Sequence, residues 1–94
     1  MAWVYILRCA DESLYVGSTN SLGHRLWQHQ EGLAATYTRR RRPVELVWTE
    51  EYENVGAAFA REKQIQNWGR VKRLALIEAR WDEVTRAAKK KFGR

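Results

Sequence analysis

The pattern of apolar and polar residues at the start of the chain predicts a β-hairpin. Trp3 to Leu7 is aromatic and β-branched and is apolar at both parities, which is typical of a strand covered on both faces. A polar, turn-prone segment follows from Ala10 to Ser13. Leu14 to Gly17 then predicts a second strand, antiparallel to the first. Gly17 either lets another group approach the backbone closely or marks a bulge.

A helix is predicted after the hairpin. Asn20 and Ser21 are good N-cap residues, and Gly32 is a good stop signal. Leu22 and Leu26 fall on one stripe of this helix, because residues four apart lie on the same side. This stripe is expected to pack against the hairpin.

The middle of the chain predicts a loop, a third strand and a second helix. The loop runs from Gly32 to Pro43, and the strand from Val44 to Trp48, with an apolar pattern that allows it to continue to Tyr52. Asn54 can cap a helix that runs from about Val55 to Trp68.

One carboxylate interrupts the apolar face of the second helix. The expected inward stripe contains Val55, Ala58, Phe59 and Ile65, and Glu62 lies four residues after Ala58 and three before Ile65. A buried carboxylate is costly unless it is paired or binds a metal. Glu62 is therefore either a metal ligand or the partner of an arginine.

The last part of the chain predicts further helices. Residues 71–80 form a third helical segment with three side chains directed inward, namely Leu74, Ala75 and Ile77. A last helix is predicted over residues 82–91. The element order β-β-α-β-α-α fits an α/β (α+β) fold with a three-stranded antiparallel sheet flanked by helices. Residues 1–80 are expected to hold the domain, and residues 81–94 a basic C-terminal helix or tail of the same domain.

Composition and charge point to a polyanionic partner. The chain has 94 residues, enough for one core, with 17 Lys plus Arg against 11 Asp plus Glu, a net charge of +6. Such a basic small domain favours nucleic acid, although a solvated basic surface gives the same totals. A single cysteine excludes an internal disulfide and a multi-cysteine zinc site. No apolar run approaches 18 residues, so no membrane association is expected and the chain is predicted to be cytoplasmic.

Four side chains near the hairpin can do chemistry. Tyr5 and Tyr15 share one face of the sheet if the paired residue numbers sum to an even number. Either could position or deprotonate a water, but a tyrosine needs a nearby cation to act as a base. Arg25 and His29 are one helical turn apart, where the first could hold a phosphate and the second could move a proton. The alternatives are core tyrosines, a surface arginine and a hydrogen-bonded histidine at the core edge.

Metal and backbone contacts complete a possible phosphodiesterase. A single inward carboxylate such as Glu62 can hold Mg²⁺, which fills its shell with water and substrate phosphate. Clusters of basic residues could hold the nucleic-acid backbone, or could equally be solvated; they are Arg39, Arg40, Arg41, Arg42, Lys89, Lys90 and Lys91. A metal-bound carboxylate, an activated water and a phosphate clamp are the parts that phosphodiester hydrolysis requires.

These residues resemble the GIY-YIG nuclease domain. Trp3-Val4-Tyr5 stands where that family has G-I-Y, and Tyr15-Val16-Gly17 stands where it has Y-I-G. Arg25 matches the arginine of the family's helix, and His29 lies one turn on, at a position that is His or Tyr in relatives. Glu62 matches the metal-binding glutamate. The resemblance covers about residues 3 to 80.

Further segments are similar to the small, stand-alone branch of this superfamily. They are Ala60–Ile65, Ala35–Arg39 and Arg42–Val44. Two positions depart from the wider family: Trp3 replaces the first glycine, and Ser18 stands where DNA-repair relatives carry a lysine. The second departure bears on the strength of Tyr15 as a base.

The resemblance implies an endonuclease that uses Mg²⁺ (or Mn²⁺) to hydrolyse phosphodiester bonds in DNA, with a preference for particular structures or single strands. Glu62 would hold the metal, Tyr15 would act as the base or position the water, and Tyr5 would support it. Arg25 would stabilise the scissile phosphate and His29 would assist proton transfer or orient the nucleophile. A monomer is favoured. The alternatives are a non-catalytic nucleic-acid-binding module and a subunit that cuts only with a partner.

Overall fold

The computed structural model describes residues 1–80, which form a three-stranded sheet with helices on both sides. The elements are β1 (Ala2–Arg8), β2 (Leu14–Thr19), α1 (Leu22–Gln30), α2 (Thr36–Arg39), β3 (Glu45–Tyr52), α3 (Val55–Gln66) and α4 (described over residues 70–80). The predicted fold class, an antiparallel sheet flanked by helices, is confirmed. The helix predicted over residues 82–91 lies outside the described residues.

The sheet has the order β2-β1-β3, with both pairs of strands antiparallel. Tyr5 pairs with Gly17 and Trp3 with Thr19, so the numbers of paired residues sum to an even number. Tyr5 and Tyr15 therefore lie on the same face of the sheet. The hydrophobic pattern could not fix this register, because β1 is apolar on both faces.

One side of the sheet, the aliphatic face, carries only apolar side chains at its centre. Val4, Ile6 and Val16 form it, and each is buried. Helix α3 covers this face with Ala58 and Ile65, both fully buried. Exclusion of these aliphatic groups from water stabilises the fold.

The other side, the tyrosine face, is covered by α1 and carries Tyr5, Leu7 and Tyr15. Leu22 and Leu26 of α1 pack against these residues, as the predicted stripe requires. Helices thus cover both faces of β1, which explains why its sequence is apolar at both parities.

Two predicted helix faces are partly wrong. On α3, Val55 and Phe59 are 55% and 52% exposed, because the buried stripe is narrower than the four apolar residues suggested. Neighbouring residues in a helix are about 100° apart, which places Phe59 well to the side of Ala58.

On α4, Leu76 and Ile77 pack against the aliphatic core, whereas Leu74 and Ala75 are exposed. At about 100° per residue, residue 75 lies opposite the stripe that contains residues 73, 76 and 77, and residue 74 lies to one side of it. The sequence prediction was therefore correct for Ile77 alone.

Smaller features differ from the predictions or confirm them. The segment from Gly32 to Pro43 contains the one-turn helix α2, which is too short to produce a periodic pattern. Gly32 adopts a positive φ of 77° after α1, the conformation expected of a helix stop. Asn54 caps α3 by accepting a hydrogen bond from the Ala57 amide at 2.8 Å.

In the described part of the chain no helix combines the length and apolar character needed to cross a membrane.

Candidate active site

Gly17 allows the Tyr5 ring to lie directly against the neighbouring strand. A Cβ atom at Gly17 would be 2.5 Å from the Tyr5 hydroxyl oxygen and 2.6 Å from the ring carbon that carries it. No side chain can occupy that space without moving the tyrosine. Of the two predicted roles for Gly17, close approach is the one observed.

Tyr5, His29 and Thr38 form a buried chain of hydrogen bonds. The Tyr5 hydroxyl lies 2.8 Å from His29 Nε2, and His29 Nδ1 lies 2.8 Å from the Thr38 hydroxyl. Their exposed fractions are 0%, 1% and 0%, respectively. The strand β1 and the helices α1 and α2 each contribute one member, so the chain joins three elements of the fold.

Burial decides the protonation of this chain. It is the main cause that raises the pKa of Tyr5 to about 12, with a smaller contribution from Tyr15. Burial also lowers the pKa of His29 to about 4, and the nearby positive charge of Arg25 lowers it further. At neutral pH the proton therefore stays on Tyr5, and His29 is an uncharged imidazole.

Tyr15 is the tyrosine that reaches the open part of the site. It is half-buried, and its ring packs edge-on against His29, with 5.2 Å between ring centroids. Burial raises its pKa, the negative charge of Glu62 raises it further, and Arg25 opposes both. The pKa of Tyr15 therefore depends on one charged residue from α1 and on one from α3.

A pocket of about 290 Å³ opens in front of Tyr15, Arg25 and His29. Gln28 and the segment from Leu33 to Ala35 complete its lining. Arg25 donates a hydrogen bond from Nε to the Gln28 side chain at 3.1 Å, which orients its guanidinium. Within the described residues Arg25 forms no salt bridge, so its charge is available to an anion in the pocket.

Glu62 approaches from the aliphatic side of the sheet. The Ser18 hydroxyl donates a hydrogen bond to its Oε1, and the Gln66 amide donates one to its Oε2 at 2.7 Å. Gln66 also donates to the Val16 carbonyl at 3.2 Å, so the carboxylate is fixed against strand β2. The side chain is 13% exposed.

The predicted alternative, an ion pair between Glu62 and an arginine, does not occur among the described residues. The cation near Glu62 is Lys63, with 3.8 Å between Nζ and Oε2. Lys63 also lies over the Phe59 ring and is largely exposed. Such a long contact at the surface is weak, so it does not account for an inward carboxylate.

The donor set around Glu62 fits a hard divalent cation. An ionised carboxylate has about four acceptor positions, and Ser18 and Gln66 use two of them. Oxygen ligands suit Mg²⁺, which needs one or two carboxylates and completes its shell with water and phosphate. The described residues contain no cluster of three or more His, Cys, Asp or Glu side chains that could hold a metal by themselves. A site at Glu62 would therefore depend on the substrate.

The four-arginine run is divided between structural and exposed side chains. Arg41 stacks on the Tyr37 ring at 3.8 Å and forms a salt bridge with Asp11 at 3.0 Å. Arg42 donates to the carbonyls of Arg39 and Gln30. Arg41 and Arg42 therefore stabilise the loop between α1 and β3.

The side chains of Arg39 and Arg40 are exposed, so among the four predicted arginines these two are the most accessible to a polyanion. The other predicted backbone contacts, Lys89, Lys90 and Lys91, lie outside the described residues.

Sequence reasoning missed two residues of the site. Gln66 lies in no motif, and Thr38 was noted only as part of the similar segment Ala35–Arg39, so each matters only through the residue that it contacts. Ser18 was noted only as a departure from the family, whereas the structure gives it a contact with Glu62. Hydroxyls and amides are common on protein surfaces, so no sequence signal marks the ones that orient a charged group.

Comparison with known proteins identifies a family match over most of the chain. The family model described as the GIY-YIG catalytic domain matches residues 1–75. That range contains Tyr5, Tyr15, Arg25, His29 and Glu62.

Several curated proteins are similar to the chain over nearly their whole length. A UPF0213 protein of Oceanobacillus iheyensis is 46% identical over 76 residues, which cover 81% of this chain and 88% of the relative. A UPF0213 protein of Clostridium perfringens is 48% identical over 80 residues, covering 85% and 86% of the two chains. The solution NMR structure of a UPF0213 protein from Bacillus halodurans matches with a TM-score of 0.56 and 35% identity, and covers 84% of this chain and 85% of that one.

Proposed function

Because the chain belongs to the GIY-YIG family of nuclease domains, we propose that it is a metal-dependent endonuclease that hydrolyses phosphodiester bonds in DNA. One observation carries the proposal: Tyr15 of β2 lines a pocket together with Arg25 from α1, and Ser18 of the same strand holds Glu62 from α3. A phosphate-binding cation and a hydroxyl thus line an open pocket beside the edge strand β2, and a carboxylate is held on the other side of that strand.

Arg25 binds the scissile phosphate in this proposal. Its guanidinium lines the pocket, is oriented by Gln28 and has no carboxylate partner among residues 1–80. A guanidinium offers two parallel donors to phosphate oxygens, and it stabilises the charge that develops there in the transition state.

Tyr15 orients the attacking water. Since its pKa is raised, the phenol is protonated in the free protein at neutral pH. It therefore begins as a hydrogen-bonding group, and only added positive charge nearby would convert it to a base. Tyr5 is fully buried and its hydroxyl is taken up by His29, so it supports the site from behind.

Glu62 would hold the divalent cation, and Ser18 and Gln66 hold the carboxylate in place for it. A bound Mg²⁺ or Mn²⁺ would neutralise phosphate charge and favour ionisation of nearby oxygen acids. The neighbouring positive charge of Arg25 acts on Tyr15 in the same direction, because it lowers the pKa of the phenol.

The shape of the site favours DNA that is not a continuous duplex. The pocket is a concavity of about 290 Å³ that ends at the segment Leu33–Ala35. Reading of a duplex requires an element that enters a groove, and the helix beside the pocket, α1, instead packs its inner side onto the tyrosine face. Single strands, flaps or branches present the flexible backbone that a concave site can receive.

The test is a cleavage assay with labelled single-stranded, branched and duplex DNA, in Mg²⁺, in Mn²⁺ and in chelator. We expect cleavage with either metal and none with chelator. Glu62→Gln should abolish cleavage, whereas Glu78→Gln, at an exposed carboxylate of α4, should leave it unchanged. Cleavage that persists in chelator or in Glu62→Gln would refute the metal site.

The role of Arg25 is tested by substitution. Arg25→Ala should lower kcat by about 10²–10³-fold, the usual effect of removing one transition-state donor, with a smaller change in affinity. DNA binding without cleavage of any substrate would instead identify a binding module, and cleavage that appears only after addition of a cell extract would identify a subunit that requires a partner.

A further inference from the structure

The hydrogen-bond chain behind the site has a definite direction. It ends at the carbonyl of Ala35, which accepts a hydrogen bond from the Thr38 hydroxyl at 3.2 Å. A carbonyl can only accept, so a Thr38 proton that satisfies Ala35 leaves the Thr38 oxygen without a proton for His29. The Thr38 oxygen is then an acceptor toward His29 Nδ1, 2.8 Å away. In that arrangement His29 carries its proton on Nδ1, and its Nε2 accepts the proton of the Tyr5 hydroxyl.

We propose that Thr38 is a positioning residue that fixes the tautomer of His29 and, through it, the orientation of Tyr5 and Tyr15. Each of the three linked side chains is at least 99% buried, so no solvent molecule can substitute for a missing partner without rearrangement. The kinetic consequence for cleavage rests on the proposed function, but the tautomer does not.

The fixed tautomer determines how Tyr5 faces the site. Since the Tyr5 proton is held by His29, the hydroxyl oxygen presents only lone pairs to its other neighbours. The positive charge of Arg25 lowers the pKa of the Tyr5 phenol against the effect of burial. With the other tautomer, His29 would donate to Tyr5, and the Tyr5 proton would need a different acceptor.

The same imidazole supports Tyr15. The rings of Tyr15 and His29 meet edge to face, at an interplanar angle of 62°. Aromatic pairs of this kind depend on ring orientation, and the two hydrogen bonds of His29 fix the plane of its ring. Loss of the Thr38 bond would therefore disturb the tyrosine that lines the pocket, although Thr38 itself does not line it.

The test compares Thr38→Val, which keeps the shape of the side chain, with Thr38→Ser, which keeps the hydroxyl. In the wild type, two-bond ¹H–¹⁵N spectra of labelled protein should show His29 with a protonated Nδ1 and an unprotonated Nε2. In Thr38→Val the Nδ1 proton loses its acceptor, and an unpaired buried donor is costly. We expect the proton to move to Nε2, and Thr38→Ser should retain the wild-type pattern.

Two controls separate this role from general packing. Thr36→Val, at an exposed position in the same helix, should change neither the spectrum nor the activity. Tyr5→Phe removes the other partner of His29 but keeps Thr38, so His29 should still carry its proton on Nδ1. If Tyr5→Phe shifts the proton and Thr38→Val does not, Tyr5 sets the tautomer and the proposal is wrong.

Cleavage kinetics give the second readout. Thr38→Val should lower kcat about tenfold with little change in KM, an effect of the size of one buried hydrogen bond, and Thr38→Ser should restore it. A wild-type spectrum with the proton on Nε2 would overturn the proposal even if Thr38→Val does not fold. If the protein cleaves no DNA, the proposed function fails, while the tautomer spectra still decide the role of Thr38.

Discussion

Helices cover both faces of the sheet, but the side chains that fill the two contacts differ in their chemistry. On the aliphatic face, Val4, Ile6 and Val16 meet Ala58 and Ile65, and the contact contains no polar side chain between them. On the tyrosine face, fully buried polar groups occupy the equivalent layer and are linked by hydrogen bonds; they are Tyr5, His29 and Thr38. The aliphatic face is held together by exclusion of water alone, whereas the tyrosine face combines apolar packing with pairing of buried donors and acceptors.

This difference predicts that the two faces respond differently to substitution. Aliphatic packing tolerates modest changes of shape, because dispersion and burial are not directional. A buried hydrogen-bond chain tolerates few changes, because each unpaired group costs its full desolvation penalty. Every buried side-chain polar atom in the described part of the chain has a partner. The tyrosine face therefore tolerates fewer substitutions than the aliphatic face, and the geometry of its buried polar side chains is fixed.

The edge strand β2 joins the two regions. Its alternating residues present Tyr15 and Gly17 to one face and Val16 and Ser18 to the other. Tyr15 thus lies beside Arg25, while Ser18 holds Glu62 from the opposite side. Because a strand separates its faces by only the thickness of a backbone, groups from α1 and α3 come together at this edge.

The largest effect on stability is expected from Ile65→Ala in the aliphatic core. Ile65 is fully buried, and a cavity of this kind typically costs about 2–5 kcal/mol. DNA cleavage per folded molecule should stay unchanged, because Ile65 does not line the pocket. Urea unfolding measures the loss, with Val71→Ala, at a side chain that is 83% exposed, as the control expected to change little. Equal losses in both variants would contradict the assignment of the core.

On the tyrosine face, His29 should make stability depend on pH. Its pKa is about 4 in the folded protein, below the value of about 6.5 in an unfolded chain. Between these values the unfolded state binds a proton that the folded state does not, so the free energy of unfolding falls as the pH falls. The loss contributed by His29 should reach about 3 kcal/mol at the acid end.

The measurement is urea unfolding of the wild type and His29→Gln between about pH 7.5 and pH 4.5. The wild type should be more stable near neutrality, and the difference should narrow toward acid. His24→Gln, at an exposed histidine, should run parallel to the wild type. A difference that is constant with pH would show that His29 is not buried as a neutral group.

An intermediate effect is expected from Gly17→Ala. The new Cβ would collide with the Tyr5 ring at 2.5–2.6 Å, and overpacking of this kind costs about 1–3 kcal/mol. Because the ring must move, the hydrogen bond from Tyr5 to His29 should weaken and cleavage should fall as well. Gly23→Ala is the matched control, since a Cβ there meets nothing within 4 Å and helix α1 should become slightly more stable. Full activity in Gly17→Ala would refute the need for close packing.

The smallest effect on stability is expected from Ser18→Ala at the edge between the two faces. It removes one hydrogen bond to Glu62, at a cost of about 1 kcal/mol in the free energy of unfolding. The Mg²⁺ concentration needed for half-maximal cleavage should rise about tenfold, because groups that orient a metal ligand tune its affinity. Ser13→Ala, in the turn before β2, should leave the metal requirement unchanged. An unchanged requirement in Ser18→Ala would mean that Gln66 alone orients Glu62.

Much of the architecture followed from local pattern. The strands at Tyr5 and Tyr15, the cap at Asn54 and the stop at Gly32 could be predicted because each depends on a residue and its immediate neighbours. The outward position of Phe59, the one-turn helix α2 and the inward faces of α4 could not. They depend on which side of a helix meets the sheet, and that is settled by packing.

The sequence by itself determined which chemical groups the protein would have. Tyr5, Tyr15, Arg25, His29 and Glu62 were all identified in it, together with the glycine that the Tyr5 ring requires. Only the tertiary structure decided how they are used. The even register placed both tyrosines on one face, burial kept His29 neutral, and contacts across the fold supplied partners to charged and titratable groups. Those partners are distant in sequence, as with Ser18 and Glu62, 44 residues apart, so no local pattern can specify them.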